Sequence, residues 1–372
     1  MMSNSPTPIP ETMFAIHLTG HGGIDKLIYR GDVRTPSPGF DEVLIQITAA
    51  GVNNTDINTR IGWYSKSVNL DTSSGAKDGF DDFCEEDAGW AGVPLSFPRI
   101  QGADCSGYIV SVGEGVDPVR IGERVLVRSM MDDPVNPSPF TCWTMGSECD
   151  GAFAQYTKVP SSEAFAIVTD WSDIELASIP CAYSTAENML YRVGLGAERV
   201  VITGSSGGVG SAAVQLAKRR RAEVVAVSSA SKKSAIKLIG ADHVLNRGDD
   251  LIDALGPNSV DAVVDLVGGN NWPALLELLK RGGRYITSGA IAGPIVGLDL
   301  RTLYLKDLSI LGATYQDKVV FRNLISYIEN DEIKPQIAAT FPLASIGEAQ
   351  KMFLSKDFVG KIVLTVPSMM TR

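Results

Sequence analysis

Along the first half of the chain, apolar positions fall in short runs rich in β-branched residues and closed by Gly or Pro. EVLIQITAAGV, CSGYIVSVGEGV, GERVLVRSM and GAFAQYTKV, between about residues 13 and 165, are examples. This spacing predicts short strands in a compact, mostly antiparallel unit. Near residue 170 the rhythm changes. WSDIELASIPCAYSTAENMLYRV predicts a helix with a Ser or Asp to cap its start. Continuous apolar runs then alternate with helical segments: RVVITG, a helix from Gly208 to about Arg219, AEVVAVS, a helix from Lys232 to Ile239, and HVLN. VDAVVDLVGG, a helix through NWPALLELLKR, GRYITSGA and LSILGAT continue the pattern. Strands this apolar are covered on both faces, and strand–helix alternation calls for a parallel sheet. From about residue 317, VVFRNLISYIEN and ASIGEAQKMFL predict two helices and GKIVLTV a closing strand. No internal repeat is visible.

One stretch fits neither rhythm. Residues of about 66–94 carry Asp71, Asp78, Asp81, Asp82, Glu85, Glu86 and Asp87, interleaved with Phe80, Phe83 and Trp90. A loop of this length is either a solvated acidic excursion or a lid whose aromatics anchor it over a cleft.

Composition narrows the class. The 372 residues include 33 Lys and Arg against 43 Asp and Glu, a formal charge of −10. With no positive excess to neutralise phosphates, nucleic-acid binding is not expected. No apolar run of about 18 residues predicts a transmembrane helix. The start, MMSNSPTPIPET, has neither the basic nor the apolar region of a signal peptide, so a soluble, cytoplasmic protein is expected. The five cysteines are an odd number spread over a long chain, which fits reduced thiols. Three histidines, His17, His21 and His243, leave little for a scheme built on His ligands or His acid/base catalysis.

The sharpest motif is Thr203-Gly204-Ser205-Ser206-Gly207-Gly208-Val209-Gly210, between the apolar run RVVITG and the predicted helix. Glycines permit the tight turn and bring backbone N–H groups close to a pyrophosphate, and the helix N-terminus adds partial positive charge. No Lys follows the last Gly, which disfavours a nucleoside-triphosphate loop. AEVVAVS ends where NAD-binding sites usually place an Asp or Glu for the ribose 2′-hydroxyl; Ser228, Ser229, Ser231, Lys232 and Lys233 stand there instead. Hydroxyls and ammonium groups there, with Arg247 after the next strand, favour a 2′-phosphate and therefore NADPH.

Taken in order, AAGVNNTDINTRIGWY, QGADCSGYIVSVGEGV, GERV, GAFAQYTKVP, GSSGGVG, GADHVLN, DLVGG and VGKIVLTV resemble the medium-chain dehydrogenase/reductase superfamily over about residues 13–366. The resemblance is greatest to its zinc-free quinone oxidoreductase branch. It implies an α/β fold of two domains. A GroES-like, mostly β catalytic domain would comprise residues 1–168 and 317–372, and a Rossmann doubly wound parallel-sheet domain for NADP residues 169–316. It also implies a homodimer through the strand around Leu308–Thr314, a hydrophobic edge that needs a partner.

Zinc-dependent relatives hold their metal on a Cys, a His and a second Cys. Those positions fall here on Asn53, Ala103 and Cys181, and one thiolate cannot hold a zinc that needs three protein ligands. No metal is therefore expected. By resemblance, Asn53 and Tyr64 lie near the nicotinamide as catalytic candidates. Asn53 would hydrogen-bond the substrate oxygen, and Tyr64 would donate a proton or stack on a flat ring. Asp56 joins them, more as a structural ion-pair partner than as an acid. Thr185, Gly268 in DLVGG and Lys361 in VGKIVL are carried over to the cofactor side of the cleft.

These observations point to a zinc-independent, NADPH-dependent oxidoreductase of quinones or α,β-unsaturated carbonyls. Three readings stay open beside it: reduction of an enoyl thioester, a zinc alcohol dehydrogenase, and an NADPH-binding module with little turnover.

Overall fold

A computed structural model describes residues 8–135, 137–138 and 140–368. In its β-rich half the organising element is the strand Glu42–Val52, whose EVLIQITAAGV sequence is buried at most positions. It pairs antiparallel with Ser106–Val112, Tyr156–Pro160 and the closing strand Lys361–Thr365. Ile45, Ile47 and Val52 pack with Ile109, Val127, Phe153 and Leu364 in one apolar cluster. The closing strand lies between Glu42–Val52 and Ile337–Pro342, with Ile362 opposite Val52 and Val363 opposite Gly51. This register brings Lys361 against the end of the strand that leads into Asn53.

The other half is a six-stranded sheet in which every pairing is parallel. The spatial order is His243–Asn246, Glu223–Ser228, Arg199–Ile202, Val260–Asp265, Leu279–Thr287, Ser309–Gly312. The winding reverses between Arg199–Ile202 and Val260–Asp265, and at such a switch point ligands bind beyond the carboxyl ends of the strands. The fold is thus a GroES-like β unit joined to a Rossmann-like parallel sheet.

Two local expectations are revised. The long helix expected after residue 171 is two helices, Asp173–Leu176 and Pro180–Arg192. Ser172 caps the first, its Oγ accepting from Glu175 N while the Glu175 carboxylate accepts from Ser172 N. Pro180 starts the second, since a proline lacks the N–H that a continuous helix requires. The NWPALLELLKR helix ends at Leu278, and Leu279-Lys280-Arg281 already belong to the strand Leu279–Thr287, where Leu279 pairs with Val260 and is fully buried. The helix Lys318–Glu329 buries Phe321, Leu324 and Ile328 in the same cluster as Met189 and Leu190 of Pro180–Arg192, so it covers a face of the parallel sheet.

The acidic stretch is folded onto its surroundings as a series of turns. Phe83 packs on His21 (ring centroids 4.9 Å apart) and over Gly62, and Phe80 N–H donates to Ile61 O. Arg60, fully buried, holds it from below: Nη2 donates to Ala76 O at 3.2 Å, Nη1 to Gly22 O at 2.5 Å and Nε to Gln350 Oε1 at 2.9 Å. From there the stretch reaches across to the parallel-sheet half, where Thr72 N–H donates to Ile291 O at 3.2 Å.

Candidate active site

The glycine-rich loop follows Ile202 at the switch point. Gly204 takes φ 59, a left-handed backbone that favours glycine. A Cβ on Gly210 would stand 2.1 Å from Gly204 O, so the close passage of loop and helix also requires glycine there. The helix Gly208–Arg219 begins with Gly207 in the cap position and no side chain bonded to its first N–H groups, which leaves them to an outside acceptor. Val209 packs on the apolar cluster below. Ser205 Oγ is turned inward to Val227 O at 2.9 Å and Ser206 stays partly exposed. Beneath the loop, buried Asp265 gathers Thr203 Oγ1 (2.5 Å), Tyr285 OH (2.6 Å) and the N–H groups of Val267 and Gly268. It ties the loop to the DLVGG turn, where Gly268 takes φ 64.

At the end of Glu223–Ser228 the structure brings the expected polar groups together. Ser228 is buried with its Oγ directed to Ser229 O, and Arg247 N–H donates to Ser228 O at 2.8 Å. Lys232 Nζ lies 3.5 Å from Ser206 Oγ, and its charge and that of Arg247 repel one another. Desolvation, aided by Arg247, pulls the Lys232 pKa down from its ordinary value.

On the other side of the loop is a buried polar cluster. Lys361, 3% exposed, donates from Nζ to Asp104 Oδ2 at 2.7 Å, Asn53 Oδ1 at 2.5 Å and Val52 O at 3.2 Å. Asn53 Nδ2 donates to Asp104 Oδ2 at 2.7 Å and to Gly51 O at 3.3 Å, and Asp104 Oδ1 accepts from Cys181 N–H at 2.6 Å. All three ammonium hydrogens and both Asn53 amide hydrogens therefore have partners inside the protein. The Lys361 stem lies against Gly208, where a Cβ would be 2.7 Å from its Cδ. Asp56 adjoins the cluster as a helix cap, its Oδ2 accepting from Asn53 N–H at 2.7 Å. Burial, reinforced by Asp104, pushes the Asp56 carboxyl up to about 7 against the pull of that bond and of Lys361.

Between the halves lies an open cleft with about 330 Å³ of empty space. Thr55 and Trp90 line it from the β-rich side, Cys181 and Thr185 from the helix Pro180–Arg192, and Ser288, Thr314 and Gln316 from loops of the parallel sheet. Gln316 is 4% exposed and its Oε1 has no protein partner. Tyr64 stands behind this wall, its ring edge-on to Trp90 at 5.0 Å. Burial pushes its phenol up, only partly offset by hydrogen bonding with Thr55 and Asn58, so the hydroxyl keeps its proton.

The sequence does not single out Thr55, Asp104 or Gln316, and it offers Trp90 only together with Phe80 and Phe83 as an anchor over a cleft. Thr55 and Asp104 lie inside its strongest motifs, and a lone carboxylate between Ala103 and Cys105 was the available signal. Gln316 becomes legible only when distant loops are placed.

At the place where Asn53, Ala103 and Cys181 were set against a metal triad, the donor set does not suit a dication. Asn53 and Asp104 are already committed to an ammonium, and burial with the nearby Asp104 pushes the Cys181 thiol up, away from the thiolate. Among the described residues no group of three or more His, Cys, Asp or Glu converges to hold a metal. All five cysteines are free, and no helix among the described residues is long and apolar enough to cross a membrane.

Comparison with known proteins agrees with this architecture. The family model for the alcohol dehydrogenase GroES-like domain matches residues 39–169, and that for zinc-binding dehydrogenases residues 208–330. A solved structure from Sinorhizobium meliloti, described as a candidate alcohol dehydrogenase, is 44% identical, with 96% of this chain and 98% of that one covered and a TM-score of 0.86. Acryloyl-coenzyme A reductase of Sulfurisphaera tokodaii is 27% identical over 90% of this chain and 95% of its own. Quinone oxidoreductase of Lama guanicoe is 27% identical over 95% and 97%.

Proposed function

As the chain belongs to the medium-chain dehydrogenase/reductase superfamily, whose members bind nicotinamide cofactors, we propose that it is a zinc-independent, NADPH-dependent reductase of quinones or α,β-unsaturated carbonyls. The observation that carries this reading is the buried Asn53–Asp104–Lys361 cluster: Asn53 and Ala103 stand at two of the three metal-ligand positions, and Asn53 is taken up by Lys361 and Asp104. Oxidation of a simple alcohol relies on a Lewis acid to stabilise the alkoxide at neutral pH. Reduction of a conjugated acceptor needs only hydrogen-bond donors and a proton for the nascent enolate or phenolate.

The N–H groups that open Gly208–Arg219 would hold the dinucleotide phosphates. Ser229, Lys232 and Arg247 would hold the 2′-phosphate, and Thr185 and Gln316 would lie at the nicotinamide end. Bound there, the nicotinamide supplies the hydride. Thr55 presents its hydroxyl in the cleft wall, and Tyr64 behind it remains protonated, so the pair would donate hydrogen bonds to the nascent oxyanion while solvent in the open cleft supplies the proton. Asn53 and Lys361 have no free hydrogens for a substrate or a phosphate, and they act as positioning residues for the loop and the helix that carries Thr55. Trp90 offers a flat apolar face to the acceptor, and the acidic stretch beside it disfavours anionic thioesters such as the one that names the Sulfurisphaera relative.

A second copy of the chain would pair along Ser309–Gly312. Among the described residues that edge strand has only Leu279–Thr287 as neighbour, and Ile310, Leu300, Tyr304 and Leu305 stand exposed on or near it. Thr314, at the end of the segment expected to dimerise, lines the cleft instead.

The test is NADPH oxidation with 1,4-benzoquinones, short 2-alkenals and an enoyl-coenzyme A, with NADH as control. NADPH-selective turnover of a free quinone or alkenal is the expected result. Preference for the thioester would move the assignment to enoyl-thioester reduction, and tight NADPH binding with no turnover on any acceptor to a binding module.

A further inference from the structure

Two lysines adjoin one another at the mouth of the nucleotide loop, close enough for the charge of Lys232 to act on Lys356. Lys232 Nζ donates to the backbone carbonyl of Lys356 and lies 3.5 Å from Ser206 Oγ. Lys356 Nζ reaches Asn54 Oδ1 at 3.3 Å, at the start of the helix Asn54–Ile61, and sits 3.9 Å from the Phe353 ring centroid. The same segment is fastened to the loop a few residues on, where Gly360 N–H donates to Ser206 O at 3.0 Å. Lys356 thus comes from the C-terminal segment, far in sequence from the loop it adjoins. Its backbone is left-handed, φ 54, at the end of the helix Ile346–Ser355. Glycine is favoured at such a helix end, so the lysine side chain is not there for the turn. Neither Lys232 nor Lys356 forms a salt bridge among the described residues, Asp357 acting on Lys232 only at longer range, and two neighbouring cations so placed mark a place for an anion.

We propose that Lys356 is a ligand of the dinucleotide's pyrophosphate, supplied to the glycine-rich loop from across the cleft, while Lys232 serves the 2′-phosphate. The assignment rests on the reading that a nicotinamide dinucleotide occupies this cleft. Lys356 closes the side of the loop that the helix N-terminus leaves open, between Ser206 and Asn54. Solvent reaches the residue, yet the protein around its ammonium and the adjacent Lys232 hold its pKa down at about 8. The charged groups around the pair are Lys232 itself, Arg247 beyond it and Asp357 next in the chain, which favours the charged form of Lys232. An arriving diphosphate favours the charged form of Lys356 and raises its pKa. Binding therefore takes up a proton near pH 8, with affinity full below that pH and falling above it.

The test is dinucleotide binding, followed by nicotinamide fluorescence for NADPH and NADH between pH 6.5 and 9.5. The intact protein is compared with Lys356→Met, Lys356→Arg and Lys232→Met. Lys356→Met should raise Kd for both dinucleotides about tenfold, the loss of one charge-assisted contact. Lys232→Met should raise it chiefly for NADPH. NADH, which lacks the 2′-phosphate, should bind the intact protein more weakly as pH rises through about 8. Lys356→Arg, charged throughout, should remove that dependence. If Lys356→Met binds both dinucleotides as the intact protein does, or loses only NADPH, the pyrophosphate assignment is overturned while the NADPH reading stands. If the intact protein prefers NADH and Lys356→Met still weakens both, the NADPH reading fails and the Lys356 assignment survives. Binding of neither dinucleotide by the intact protein overturns both.

Discussion

The two walls of the cleft are built by different means. On the nucleotide side the working groups are backbone N–H groups and short side chains from one stretch, Thr203–Gly210, shaped by glycines and fixed from below by Asp265. On the substrate side the framework is made of side chains from remote elements, Asn53 and Lys361 being 308 residues apart, and their charges are buried. A backbone cradle fails when a Cβ intrudes. A buried charge cluster fails when one partner is removed, because the other is left without water or counter-ion.

The largest expected effect tests that difference directly. Asp104→Ala should destabilise the protein by about 3–5 kcal/mol, read as a fall in Tm, because Lys361 loses its counter-ion in a site shielded from water. Lys361→Met should cost a similar amount, and the double change Asp104→Leu with Lys361→Met should cost less than either alone. Additive losses would show that the cluster is not a coupled pair. Next in size, Gly210→Ala forces a Cβ into Gly204 O and should weaken dinucleotide binding at least tenfold in a fluorescence titration. Unchanged affinity would mean that the loop is not the cradle. Trp90→Ala should raise KM for flat acceptors by about fivefold to tenfold, the scale of a lost aromatic contact, while leaving the Kd of NADPH unchanged. A change in NADPH binding alone would place Trp90 on the wrong wall.

A further effect, read through pH, concerns Asp56. Its pKa is about 7 in the folded protein against an ordinary 3.8, so the fold favours its protonated form. That contribution is present in full below about pH 4 and is lost as pH rises through 7. Chemical denaturation of Asp56→Asn should therefore move in the variant's favour, relative to the unaltered protein, by about 2–3 kcal/mol between pH 5 and pH 8. A pH-independent difference would mean that Asp56 is ionised throughout.

The same contrast explains how far the sequence could be read. The glycine-rich loop was legible because its parts are contiguous and a strand and a helix bracket it. The change from short β-branched runs to continuous apolar strands separated the two sheets. A break at Pro180 and an early strand start at Leu279 were missed, since local propensity does not show which residues a neighbouring strand will claim. The Asn53–Asp104–Lys361 cluster was legible only as separate motif residues. That Lys361 turns inward to Asp104 depends on the closing strand pairing beside Val52, a long-range fact of register. The aromatics of the acidic stretch allowed a lid over a cleft, with Trp90 among its anchors, but carried no pattern by which to choose Trp90 over Phe80 or Phe83 or to foresee Thr72 bonding to Ile291.

The central claim is that this cleft transfers hydride without a metal, on a framework held by an ammonium–carboxylate pair. It is tested most directly by measuring NADPH-dependent reduction of a quinone or 2-alkenal by protein of known metal content, before and after exhaustive chelation and again with added zinc. The account predicts turnover by zinc-free protein at an undiminished rate, with no gain on adding zinc. Activity that follows zinc occupancy, lost on chelation and restored by the metal, would contradict it.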